Sequence, residues 1–156
     1  MFNYPAHRLI RTAAVVCAVA IGAASVSAQS EDAILYAGDA APGDTFGNAV
    51  AVDGNVAIVG AKEEGPPTSS GAVYIYRFDG TSWNQEAKLK AFDAALGDDF
   101  GVSVGISGDV AVIGSWLDNS SIGSAYVYRY DGSSWNFEQK LTAIDGLLGD
   151  RFGISV

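Results

Sequence analysis

The chain has 156 residues, of which 49% are hydrophobic and 17% charged, and its 18 acidic residues outnumber its 9 basic ones for a net charge of −9. Nucleic acids and anionic membrane surfaces are held by basic surfaces, so this balance argues against both as partners. The single Cys and single His, Cys17 and His7, both lie near the N-terminus.

The first segment reads as a secretory signal. Arg8 and Arg11 give a positive start, Thr12 to Val26 is a run of small and apolar residues, and Val26-Ser27-Ala28 offers a small-residue cleavage site, so residues 1–28 are predicted to be a signal peptide cut after Ala28. The run is shorter than the roughly 20 apolar residues of a spanning helix. No membrane insertion is therefore expected after cleavage, and the protein is expected to be secreted, periplasmic or at the cell surface. Cys17 lies inside the apolar run and is expected to leave with the signal. Cleavage leaves seven basic residues against eighteen acidic ones, a net charge of −11, with no Cys and no His. Zinc sites of the Cys/His type, disulfides and His-based catalytic triads are then excluded.

The remainder repeats itself. Gly-Asp-x-Phe-Gly occurs at Gly43 to Gly47, Gly97 to Gly101 and Gly149 to Gly153, with the Phe-Gly steps at Phe46-Gly47, Phe100-Gly101 and Phe152-Gly153. Self-similarity at such a period marks a repeat architecture. The organisation expected is a lead-in over 29–45, one repeat over 46–99, a second over 100–151, and the start of a third over 152–156. The two-residue difference in length falls between Gly60 and Gly71.

Each repeat reads as four short strands. In the first these are Asn48 to Val52, Val56 to Gly60, Gly71 to Tyr76 and a strand starting at Trp83. In the second they are Val102 to Ile106, Val110 to Gly114, Gly123 to Tyr130 and Trp135 to Thr142. Asp53-Gly54 is a strong hairpin signal. A polar loop is expected over Ser115 to Ile122. In the third strands Tyr74, Tyr76 and Phe78 alternate with Val73 and Ile75, and Tyr126, Tyr128 and Tyr130 with Ala125 and Val127. Both faces are apolar, so each sheet should be covered on both sides. A four-stranded sheet stacked between similar sheets is a propeller blade. The fold class expected is all-β: antiparallel four-stranded β-propeller blades, about two of them, with partial blades at both ends. Two blades do not close a ring, so the chain is expected to be a fragment of a longer propeller, the alternative being a protomer of an oligomeric one.

The Phe-Gly step, the apolar strand after it and Gly60-Ala61 or Gly114-Ser115 resemble the FG-GAP repeat of integrin-α-type β-propellers, especially its bacterial secreted members. The resemblance covers Leu35 to Val156. It implies a non-enzymatic exported module for adhesion or binding of an extracellular protein or glycan, completed by further blades beyond the C-terminus or as a homo-oligomer. Integrin-type repeats often carry a calcium loop between the Phe-Gly and Gly-Ala-Pro steps. Here that place holds only Asp53-Gly54-Asn55 and Ser107-Gly108-Asp109, too few carboxylates to enclose a cation of 6–8 oxygen ligands. No calcium or other cofactor is therefore expected.

Four groups of residues remain as candidates. The pairs Asp39/Asp44, Asp93/Asp98 and Asp145/Asp150 recur beside each Phe-Gly step, and are read as turn-capping residues rather than cation ligands. Trp83 and Trp135, each after an Asp-Gly turn, are read as packing anchors. Trp116, Asp118 and Asn119 sit in the variable loop of the second repeat, where binding residues concentrate, and are the candidate ligand contacts. Glu63 and Glu64 are read as part of a solvated Gly/Pro/Ser-rich loop, because a glycosidase needs two carboxylates facing each other across a cleft. No catalytic constellation emerges. The rival readings are a propeller-type glycan-active enzyme built on Asp, Glu, Tyr and Lys, and a purely structural surface-protein segment.

Overall fold

The structure, a computed structural model, describes residues 33–65 and 69–156. The predicted signal segment lies outside them. Leu35–Val156 forms one compact unit. It contains β1 (Phe46–Asp53), β2 (Val56–Ala61), β3 (Ala72–Phe78), β4 (Trp83–Leu89), β5 (Val104–Ser107), β6 (Val110–Ser115), a single helical turn α1 (Asp118–Ser121), β7 (Ser124–Tyr130) and β8 (Trp135–Leu141). These make two four-stranded antiparallel sheets, ordered β1-β2-β3-β4 and β5-β6-β7-β8. They are the two blades that the repeats predict.

Strand boundaries follow the residue types. β2 and β6 are short apolar runs closed by glycine. The hairpin signalled by Asp53-Gly54 forms one residue later: Asp53 ends β1 paired with Val56, and Gly54-Asn55 is the two-residue turn, with Gly54 at φ 57°. The first strands differ from expectation. β1 runs from Phe46 through a register irregularity that ends at Val50, whereas the ladder of β5 opens only at Val104. The loop expected over Ser115 to Ile122 tightens into one helical turn, with Asn119 and Ser120 left-handed at φ 50° and 60°. Short polar side chains tolerate that region better than others do.

The core lies between the blades. Val56, Ile58, Val73, Ile75 and Leu89 on one face of the first blade pack with Phe100, Val104, Ala111, Ile113, Tyr126 and Tyr128 of the second. A smaller cluster on the other face of the first blade holds Ala57, Val59, Tyr74 and Tyr76, with Leu35, Phe46 and Trp83 packed against it. The alternation in the third strands therefore separates two buried faces. Phe46 meets Tyr74 edge-on at 5.5 Å, and Phe100 meets Tyr126 in the same way at 5.3 Å.

The contact that joins blades explains the glycines of the motif. A Cβ on Gly60 would lie 2.2 Å from the Gly101 carbonyl oxygen, and one on Gly114 would lie 1.9 Å from that of Gly153. The Phe100-Gly101 and Phe152-Gly153 steps thus lie directly on the Gly-Ala and Gly-Ser steps of the blade before each. Phe100 bridges Gly71, and Phe152 bridges Gly123, through isolated parallel pairings. Gly101 and Gly153 take φ of 91° and 81°, a region that glycine enters without a Cβ penalty.

Candidate functional site

A charged cluster recurs on each blade. The β4 residue Lys88 pairs with Asp39 and, at 2.6 Å, with Glu64. The β8 residue Lys140 pairs with Asp93 at 2.6 Å and Asp118 at 2.8 Å. The Tyr74 hydroxyl donates to Asp39 at 2.8 Å, and that of Tyr126 to Asp93 at 2.8 Å. Each ammonium also sits near the face of the same tyrosine, 5.2 Å from the Tyr74 centroid and 5.1 Å from that of Tyr126. Tyr76 and Tyr128 donate to the backbone carbonyls of Tyr36 and Lys90. In the second blade this arrangement is a latch: Tyr126 and Tyr128 reach back to the segment following β4.

In the Asp39/Asp44 and Asp93/Asp98 pairs the two members do different jobs. Asp44, Asp98 and Asp150 accept the backbone N–H groups of Ala41, Ala95 and Leu147 at 2.6–2.7 Å, as the turn-capping reading expects. Asp39 and Asp93 instead hold the tyrosine and the lysine, which corrects the turn-capping reading for them. Glu64 corrects the solvated-loop reading: it is only 7% exposed, with Lys88 and Lys90 on its carboxylate. Burial of a carboxylate is tolerable there because two ammonium groups offset the lost hydration. Glu63 stays half-exposed beside Lys62.

Of the candidate ligand contacts, Asp118 is 6% exposed and accepts a hydrogen bond from the Ser124 hydroxyl besides pairing with Lys140. It belongs to the buried cluster, while Asn119 beside it is exposed. Trp116 is half-buried. Its Nε1 donates to Asp99 at 2.7 Å, and the Arg151 guanidinium lies 4.6 Å from its ring centroid. The three residues thus do not form one surface. Trp135 is buried and its Nε1 donates to Glu86 across the blade junction at 3.0 Å, whereas Trp83 is half-buried against Phe78.

Electrostatics follow the pairings. Lys88, assisted by Tyr74, holds Asp39 below the usual carboxylate range. Burial pushes Glu64 and Asp93 up, but their lysines outweigh it and both end low. Asp98 goes the other way, raised by burial and by its neighbours Asp118 and Asp93. Burial raises Tyr74, Tyr76 and Tyr126, and pushes Tyr128 up to about 12. Lys88 and Lys140 are raised because their carboxylates outweigh burial.

A pH profile follows. Carboxylates lowered on folding contribute stability above the ordinary value near 4, and it is lost as pH falls through their folded values; Asp98 partly opposes this. Raised tyrosines and lysines contribute stability in full below about pH 10, lost as pH rises through their folded values. The urea midpoint is expected to be flat between about pH 5 and 9 and to fall on both sides. A midpoint that rises from neutral pH toward pH 3 would contradict the pairing.

A family model described as FG-GAP repeat matches residues 29–76 and 83–128, together more than half of the chain. The chain belongs to the FG-GAP repeat family. No curated protein matches it at a significant level. FG-GAP repeats form β-propeller blades, as the two sheets here do. The FG-GAP motif of this chain is thus a packing device: its glycines let one blade's backbone lie on the next.

Calcium, which integrin-type FG-GAP repeats often carry after the Phe-Gly step, does not fit the residues present. The hairpin there is two residues long, and the Asp53 carboxylate accepts the Gly108 N–H of the neighbouring hairpin at 2.6 Å. Among the described residues no group of three or more His, Cys, Asp or Glu is arranged to hold a metal.

Sequence reasoning missed the lysine cluster, although a signal was present. Lys88 and Lys140, Tyr74 and Tyr126, Asp39 and Asp93, and Glu64 and Asp118 all occupy equivalent repeat positions.

Proposed function

We propose that this protein is an exported, non-enzymatic β-propeller module that binds an extracellular protein or glycan. The observation that carries this reading is the use of the clustered ionisable groups. Lys88, Asp39, Glu64 and Tyr74, and their equivalents Lys140, Asp93, Asp118 and Tyr126, bond to one another and hold the blades. Acid–base chemistry needs a carboxylate or amine turned toward a substrate. The loops, including the exposed Asn119, are the surfaces left for recognition. The reading requires no bound calcium.

The test presents the full chain to a panel of immobilised glycans and extracellular matrix proteins, measuring both retention and release of reducing sugar. Saturable retention with the ligand recovered intact is the expected result. Time-dependent sugar release would establish an enzyme instead, and the absence of saturable retention anywhere would remove the binding role.

A further inference from the structure

Two aromatic rings of the junction between the blades reach solvent. Phe137 on β8 meets Tyr128 edge-on at 5.9 Å, and Phe92, in the connection from β4 to β5, meets Tyr126 edge-on at 6.3 Å. Tyr126 and Tyr128 lie on the face of the second blade that packs with the first. The two phenylalanine rings also meet each other, with centroids 4.8 Å apart and planes tilted by 56°. Phe92 is 67% exposed and Phe137 42% exposed, whereas Phe100, Tyr126 and Tyr128, which continue the row inward, are buried. This junction has both of its blades, so the pair is not the open face of an end blade.

Covering the tyrosines does not account for these rings. Gln85 pairs with Tyr76 as Phe137 pairs with Tyr128, and Gly38 precedes Asp39 as Phe92 precedes Asp93. In the first repeat the Gly38 N–H donates to the Gln85 side chain at 3.0 Å, and Tyr74 and Tyr76 are buried there as fully as Tyr126 and Tyr128 are in the second. The fold thus accepts a polar pair at positions where the second blade holds two rings in water, forgoing the gain from burying them.

We propose that Phe92 and Phe137 form a stacking site for a pyranose ring of a neutral glycan. The proposal rests on the binding reading above, and gives it a ligand class and a site outside the loops. Size selects the ligand: the two rings offer about 200 Å² of exposed apolar surface, against the about 800 Å² per partner of a stable protein interface. One sugar ring has an apolar C–H face of matching size, and its weakly positive C–H groups are attracted to the negative faces of aromatic rings. Charge selects neutrality. The acids that follow the two rings are matched within the chain, Asp93 by Lys140 at 2.6 Å and Glu138 by Arg129 at 2.9 Å. The net charge of −9 also repels anionic polysaccharides.

Electrophoresis of the full chain through native gels cast with a β-glucan, a dextran, a galactomannan or, as the acidic comparison, alginate tests this. Retardation by at least one of the three neutral polysaccharides is expected, with none by alginate. Phe92→Gly combined with Phe137→Gln installs the pair of the first repeat. It should leave the urea midpoint close to that of the wild type and weaken the apparent affinity by about tenfold or more. Phe92→Ser alone, at the more exposed ring, should weaken it several-fold. Equal retardation of the wild type and the double variant, or retardation by alginate alone, would overturn the proposal. Absence of retardation in every neutral gel would overturn it too, while saturable retention on matrix proteins would leave the broader binding reading standing. Retention on a matrix protein that the double variant loses would make the pair a protein contact and overturn the glycan site.

Discussion

Gly60→Ala is expected to destabilise the full chain by about 3 kcal/mol, lowering the thermal midpoint by roughly 15 °C. The new Cβ would stand 2.2 Å from the Gly101 carbonyl oxygen and 3.2 Å from the Asn48 side chain. The obstacle is backbone, which cannot rotate away as a flexible side chain could. The neighbouring polar contacts would go with it, since the Asn48 amide donates to the carbonyls of Gly101 and Val102. Gly54→Asn is the control: Gly54 has positive φ but nothing within 4 Å of its Cβ position, and Asn tolerates that φ. Its cost should stay within about 1 kcal/mol. Calorimetry of the two variants separates a steric junction from a general glycine effect. Equal losses would remove the close approach as the reason for the motif.

Lys140→Met is expected to cost about 3 kcal/mol, the lower end for breaking a buried ion pair by removing one partner. Asp118, 6% exposed, would keep the Ser124 hydroxyl but lose its ammonium, and Asp93 would keep only its tyrosine among the side chains now bonded to it. Adding Asp118→Asn to Lys140→Met should recover more than about 1 kcal/mol, because the buried charge left behind is what costs most. Lys140 holds Asp93 low against the effect of its burial, so the penalty of the single change should also shrink as pH falls and Asp93 takes up a proton. Urea denaturation of the wild type, both singles and the double gives the coupling. A purely additive double would show that Lys140 and Asp118 do not act as a pair.

The strand pattern was legible because apolar alternation and Asp-Gly turns are local. Tyr74, Tyr76, Val73 and Ile75 announce two covered faces from residue type alone, and the structure buries both. The charged cluster was less legible. Glu64 sits beside a Gly/Pro/Ser-rich segment and reads as solvated, yet Lys88 and Lys90, far along the chain, make its burial tolerable. Asp118 sits in a polar loop and reads as exposed for the same reason. Solvation depends on partners brought by folding, which a local window does not contain.

The chain by itself therefore determined the period, the four strands of each blade, the two-faced third strand, the tight β1–β2 hairpin and the family resemblance. All rest on residue type at short range, where backbone sterics and side-chain alternation act. The tertiary structure alone decided what the recurring spacing of Phe-Gly and Gly-Ala is for, which aspartates cap turns and which hold lysines, and that Trp116 is tied to Asp99 and Arg151 rather than left open. These depend on backbone approach and charge pairing between residues tens of positions apart, and such distances are set only when one blade packs on the next.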